Sequence, residues 1–178
     1  MKYLKNKTIL IISPEKWGVN FLSKHHYAIE LSKRKNRVYF LNPPQARNTS
    51  FEVKIINGTD TLFEINYPLT VRGINKLPSL IIDYLNKPLI RKILNTAFEV
   101  DVVWSFDPFR LQNLDLFGAE TKLYFCADSH SCKKEKVIAK KADLILTPSR
   151  LIAEKFSGLN SNVYNIGHGV SGIFFERN

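Results

Sequence analysis

The sequence predicts an α/β protein: a Rossmann-like, mostly parallel open sheet with helices on both faces. Three observations predict it. Thr8-Ile9-Leu10-Ile11-Ile12-Ser13 is β-branched and apolar on both faces, as in a strand covered by helices on each side. From Asp101 onwards, short apolar strands alternate with helical segments. The chain has 178 residues with 44% hydrophobic and 12% aromatic content, which suits one domain with a sizeable core and excludes a disordered chain.

The elements follow in order. After the first strand and a loop through Trp17-Gly18-Val19-Asn20, Ser23 is placed to cap a helix to about Arg34, with Tyr27, Ala28 and Leu31 inward. Arg37 to Leu41 is the second strand, ended by Pro43-Pro44. Phe51 to Ile56 and Thr61 to Ile65 form a hairpin around Asn57-Gly58. Leu80, Ile81, Tyr84 and Leu85 make one helical stripe, and Leu89, Ile90, Ile93, Leu94 and Ala97 another. Pro88 between them implies two helices or a kink. Strands at Asp101–Ser105, Lys122–Phe125, Leu144–Thr147 and Val163–Ile166 then alternate with helices at Phe109–Phe117, Cys132–Lys141 and Ser149–Phe156.

Composition narrows the function classes. Apolar runs fall far short of the roughly 20 residues of a membrane span. Pro14, Glu15 and Lys16 interrupt the first run, which reads as a buried strand and not a signal peptide. Cys126 and Cys132 match neither a zinc spacing nor a CxxC redox motif, and a reduced cytoplasmic protein is expected. The formal charge of +10 favours anionic partners, or else a lysine-rich solvated surface. No nucleic-acid motif accompanies it, and no nucleic-acid partner is expected. Lys76, Lys87, Arg91 and Lys92 flank the Pro88 region beside aliphatics, a pattern that can lie on anionic lipid.

In open α/β sheets ligands bind beyond the carboxyl ends of the strands. That rule selects Pro14–Asn20, Asn42–Gln45, Phe106–Arg110, Ala127–Ser131 and Gly167–Gly169. The first loop has only Gly18 and no G-x-G-x-x-G, which excludes a dinucleotide fingerprint but leaves room for a single phosphate or carboxylate, or a plain turn. Asp128-Ser129-His130 either works on a hydroxyl or caps the next helix. Asp107 binds a sugar hydroxyl or caps a helix starting at Pro108. His26 pairs with Glu30 on a solvated face, and His25 is turned toward the first loop. His168, between two glycines, marks a hinge or cleft wall.

These phrases resemble the N-terminal, acceptor-side domain of GT-B glycosyltransferases of the group 1, or family 4, type. Leu31-Ser32-Lys33-Arg34-Lys35-Asn36-Arg37-Val38 is similar to the family's L-a-x-x-G-H-x-V segment, with Lys35-Asn36 in place of Gly-His. Ala142-Asp143-Leu144-Ile145-Leu146-Thr147-Pro148-Ser149 resembles its A-D-x-v-x-x-x-S phrase, and Gly167-His168-Gly169-Val170 its N-G-V-D turn. Tyr39 to Pro44, Val103 to Pro108 and Tyr124 to Asp128 are similar to enzymes that build teichuronic-acid-type and other surface polysaccharides.

The resemblance implies a half-domain over residues 1–170, with 171–178 opening a linker to a donor-binding domain. It implies a retaining, hexosyltransferase-type enzyme that uses a nucleotide-diphosphate sugar, inactive without its second domain. No metal and no resident cofactor are implied. Asp128 and His130 fall where such enzymes act on the reacting hydroxyl. Gly18, with Lys16 and Trp17, approaches the donor phosphate, and Asp107 and His168 complete the binding set. The implied acceptor is lipid-linked or polysaccharide, at the cytoplasmic membrane face. A competing reading of the same residues is a non-catalytic Rossmann-like module for an anionic metabolite or a protein partner.

Overall fold

The computed structural model describes residues 4–18, 20–45, 50–69, 71–97, 99–128, 130 and 132–167. The reading of His168 and of residues 171–178 therefore lies outside the described residues.

One eight-stranded sheet runs through the molecule. Its strands are β1 (Thr8–Ile12), β2 (Arg37–Leu41), β3 (Glu52–Ile55), β4 (Leu62–Asn66), β5 (Val102–Ser105), β6 (Thr121–Phe125), β7 (Leu144–Thr147) and β8 (Val163–Asn165). Their order is β3-β4-β2-β1-β5-β6-β7-β8. The edge strand β3 pairs antiparallel with β4 through the hairpin at Asn57-Gly58, and the other pairs are parallel. The helices are α1 (Ser23–Lys33), α2 (Ser79–Ala97), α3 (Lys133–Lys141) and α4 (Arg150–Phe156). None among the described residues is long and apolar enough to cross a membrane.

Alternate side chains of the central strands feed two core layers, as the pleat dictates. Leu10 and Ile12 of β1 pack with Ile90 and Ile93 of α2, Ile138 of α3 and Phe156 of α4. Ile9 and Ile11 pack on the opposite face with Ala28 of α1, Phe40 and Trp104. The helices thus cover both faces. At the amino end of the sheet, Lys7 N–H donates to Asn36 Oδ1 at 3.0 Å and Thr8 N–H donates to Asp101 Oδ2 at 2.7 Å. Asn36 Nδ2 donates in turn to the Leu31 carbonyl at 2.9 Å. Lys35 closes α1 with φ of 63°, the left-handed position at which the resembling family carries glycine.

Four expectations need correction. Ser23 is the first residue of α1, and Leu22 precedes it as the cap. The Leu22 N–H donates to His25 Nδ1 at 3.1 Å, so the first turn is closed by an imidazole and not by a hydroxyl. Glu30 bonds Lys33 at 2.8 Å, three residues along the same helix, and not His26. Of the two forms expected at Pro88, separate helices do not occur: Ser79–Ala97 is one helix, with the proline on the solvent side, where water can serve the carbonyl left without a donor. The stripe of Leu80, Ile81 and Tyr84 faces outward at 83%, 46% and 70% exposure.

The fourth correction concerns Phe109–Phe117. This segment is a turn followed by a 3₁₀ helix at Leu114–Phe117. Its polar groups bond to α2: the Arg110 carbonyl accepts from Asn86 Nδ2 at 2.8 Å, and Gln112 Oε1 accepts from Ser79 Oγ at 2.8 Å. These contacts replace an α-helical ladder.

Candidate functional site

Strand order reverses at β1, which has β2 on one side and β5 on the other. A crevice must open there, since the connections leaving β1 and β5 diverge. A cleft of about 360 Å³ lies beyond the carboxyl ends of β1, β5 and β6. Its walls are Pro14 and Glu15 after β1, Leu22 to Lys24 at the start of α1, Phe106 and Phe109 after β5, and Tyr124 to Asp128 with His130 after β6.

The cleft brings Asp128 and His130 together, as expected for a carboxylate and an imidazole at the end of β6. Asp128 is exposed, and its carbonyl accepts from Cys126 Sγ at 3.4 Å. The His130 ring stands 5.0 Å from that of Phe109. Neither residue caps α3. Cys132 does so, its sulfur accepting from the Glu135 N–H at 3.5 Å.

Lys16, Trp17, Gly18 and Asp107 stand beside the wall and not on it. Trp17 packs its ring edge-on to Phe40 at 4.9 Å, and its N–H donates to Asn42 Oδ1 at 2.8 Å. Gly18 has φ of 81° with open space where a Cβ would go, so the turn itself demands the glycine. Asp107 is buried, with Oδ1 accepting from the Phe109 N–H at 2.7 Å and Oδ2 bonding the Arg110 guanidinium. Arg110, itself 8% exposed, also donates to the Ser13 carbonyl, to the Asn42 carbonyl at 3.2 Å and to the Tyr67 hydroxyl at 2.6 Å. This clamp joins the carboxyl ends of β1, β2, β4 and β5.

Sequence reasoning missed Lys24 and Glu135. Lys24, whose side chain is 9% exposed, forms an ion pair with Glu15 at the cleft wall. Glu135 is buried, and its Oε1 accepts from the His130 N–H at 3.2 Å, the Tyr124 hydroxyl at 3.3 Å and Cys126 Sγ at 3.4 Å. That one oxygen holds the loop carrying Asp128 and His130 onto α3. The spacing Cys132-x-x-Glu135 was its signal: it matches the S/T-x-x-E helix-start pattern with cysteine for the hydroxyl residue, and Glu135 reaches back to the His130 N–H. Burial pushes the Cys126 thiol up to about 12, with the Glu135 charge adding to it. Burial likewise raises the Tyr124 hydroxyl far above its ordinary range. The floor of the cleft therefore stays uncharged at Tyr124 and Cys126 near neutral pH.

His25 faces the first loop, as read, and is fully buried between Trp17 and Phe40. Burial holds its imidazole below the ordinary 6.5, and the Lys24 cation acts in the same direction. The folded state thus resists a proton that the unfolded chain takes up near 6.5. Below that pH the unfolded state binds more protons, and stability falls as the solution is acidified. Urea midpoints at about pH 7.5 and about pH 5.5 should differ less in His25→Gln than in the parent. An identical drop in both proteins would assign the pH dependence to other groups.

With the geometry in place, the chain can be compared with known proteins. No protein-family model and no curated protein matches it. Among solved structures, a sucrose-phosphate synthase chain from Thermosynechococcus elongatus is similar, with a TM-score of 0.58 and 15% identity, over 93% of this chain and 91% of that one. The fold is that of a GT-B half-domain. At this identity the likeness speaks to architecture alone.

Proposed function

We propose that this chain is the acceptor-side half of a retaining, sugar-nucleotide-dependent glycosyltransferase of hexosyl type, serving cell-surface polysaccharide assembly on the cytoplasmic side. The donor, a nucleotide-diphosphate sugar, is held mainly by a second α/β domain facing this rim, and transfer requires that domain. The observation that carries the reading is the cleft at the strand-order reversal, with Asp128 and His130 on one wall and Lys24 on the other. A carboxylate and an imidazole side by side can orient an acceptor hydroxyl and manage its proton. A lysine ammonium across the cleft complements a leaving diphosphate, as does the Gly18 turn with its neighbour Lys16. Neither a metal nor a resident cofactor is part of this reading. Asp107 and Trp17 act from behind, shaping the rim.

A second reading keeps the cleft but removes the chemistry: a binding module for an anionic metabolite. The buried Lys24 favours it. Amide shift mapping separates the two. Titration with nucleotide-diphosphate sugars should move Glu15, Lys24, Phe106, Asp128 and His130 together, and inorganic pyrophosphate should move only the Lys24 side. A pyrophosphate map equal to the full map supports the binding module, and shifts confined to other surfaces overturn both readings.

A further inference from the structure

The face of α2 turned away from the core is built to meet something. At 100° per residue, the buried Ile82, Asn86, Leu89, Ile90 and Ile93 lie on one side. The opposite side carries Leu80, Ile81, Tyr84 and the exposed Pro88. Lys87, Arg91 and Lys92 share that outward side one and two turns further on, and all three are exposed. Lys87 Nζ stands over the Tyr84 ring at 5.8 Å. An apolar cluster this exposed is unfavourable in water and normally marks a contact surface.

Two observations say what the contact is. The first is charge. Between Leu69 and Phe98 the chain carries five cations, with Arg72 and Lys76 completing the set, against one acid, Asp83. Asp83 sits on the flank, accepting from Asn113 Nδ2 at 3.1 Å. A second copy of this chain docked by the same face would set like charges against each other. An anionic surface would not. The second is a groove. Ile81, Leu85, Pro88 and Lys92 form one line along the helix, and the last three of them line an apolar slot of about 190 Å³ closed by Phe51, Tyr67 and Pro68. Lys92 is the one charged residue among those lining this apolar slot.

We propose that α2 docks this protein on an anionic lipid bilayer. The apolar first turns enter the headgroup boundary, and Lys87, Arg91 and Lys92 lie among the phosphates. The inference stands apart from the transferase reading, since no α2 residue lines the cleft.

The test is co-sedimentation with vesicles of phosphatidylcholine alone and of phosphatidylcholine with about 30% phosphatidylglycerol. Binding is expected to the anionic vesicles only, and to weaken with salt. Leu80→Ser/Tyr84→Ser and Lys87→Gln/Arg91→Gln/Lys92→Gln should each reduce partitioning by about tenfold or more. Unchanged melting temperatures will confirm that both variants are folded. Absence of binding, equal binding to both vesicle types, or variants that bind like the parent would overturn the proposal. So would a concentration-dependent dimer abolished by the apolar variant, which would give the face to a second copy.

Discussion

Replacing Arg110 with methionine is expected to destabilise the fold by about 3–5 kcal/mol, the cost of breaking a buried charge pair from one side. The guanidinium is the hub of the carboxyl rim, bonding Asp107, the Ser13 and Asn42 carbonyls and the Tyr67 hydroxyl. Its loss leaves the Asp107 carboxylate at 3% exposure with only the Phe109 N–H. Arg110→Lys should recover little, because an ammonium lacks the planar fork that reaches several strand ends at once. The pairing Arg110→Met/Asp107→Asn should recover a measurable part, since the amide oxygen can keep the Phe109 bond while the stranded charge disappears. Urea unfolding of the three variants beside the parent decides it. A single variant with the parent's midpoint would show that the clamp contributes nothing.

Asp128→Asn is expected to lower turnover by about 10²–10⁴-fold in the enzyme that carries this half-domain, in the range of a lost acid–base group. The KM for the sugar nucleotide should change little, because the proposed function gives the donor to a second domain. The substitution is benign to the fold: the side chain is exposed, and the bond to Cys126 Sγ is made by the backbone carbonyl. Near-normal turnover would remove Asp128 from the chemistry and leave His130 as the remaining candidate in that loop. Loss of activity accompanied by loss of folding would point to the loop's anchoring by Glu135.

The sheet was legible because its strands are bounded by strong punctuation. Arg37–Leu41 ends at two prolines, and β3 and β4 turn at Asn57-Gly58. The segment after β5 was misread because apolar spacing alone cannot show that Asn86 and Ser79 will claim its polar groups. The two-helix alternative at Pro88 fails because sequence does not say which side of a helix a ring will face. At the site, Asp128 and His130 followed from their place after a strand. Arg110 did not, because its meaning lies in Ser13 and Asn42, 97 and 68 positions away. Lys24 looked like one basic residue among many, and nothing local marks it as buried. The outward stripe of α2 was legible as apolar and basic together, and only the packed helix shows that both lie on one side.

The bonds at the amino end of the sheet decide something the core cannot. Ile9, Leu10, Ile11 and Ile12 are all fully buried. Sliding β1 by one residue would exchange Ile9 and Ile11 with Leu10 and Ile12 between the two layers, apolar for apolar, so the usual alternation gives no penalty for the slip. What tells the two frames apart is outside the apolar run. Asn36 Oδ1 accepts the Lys7 N–H and Asp101 Oδ2 the Thr8 N–H when the strand is correctly seated, and the Lys7 ammonium adds a bond to Asp101 Oδ1. A shifted strand would take the backbone donors away from Asn36 Oδ1 and Asp101 Oδ2. The central strand of this protein is thus indexed by two polar side chains at its threshold, and its apolar letters, interchangeable among themselves, supply cohesion without alignment.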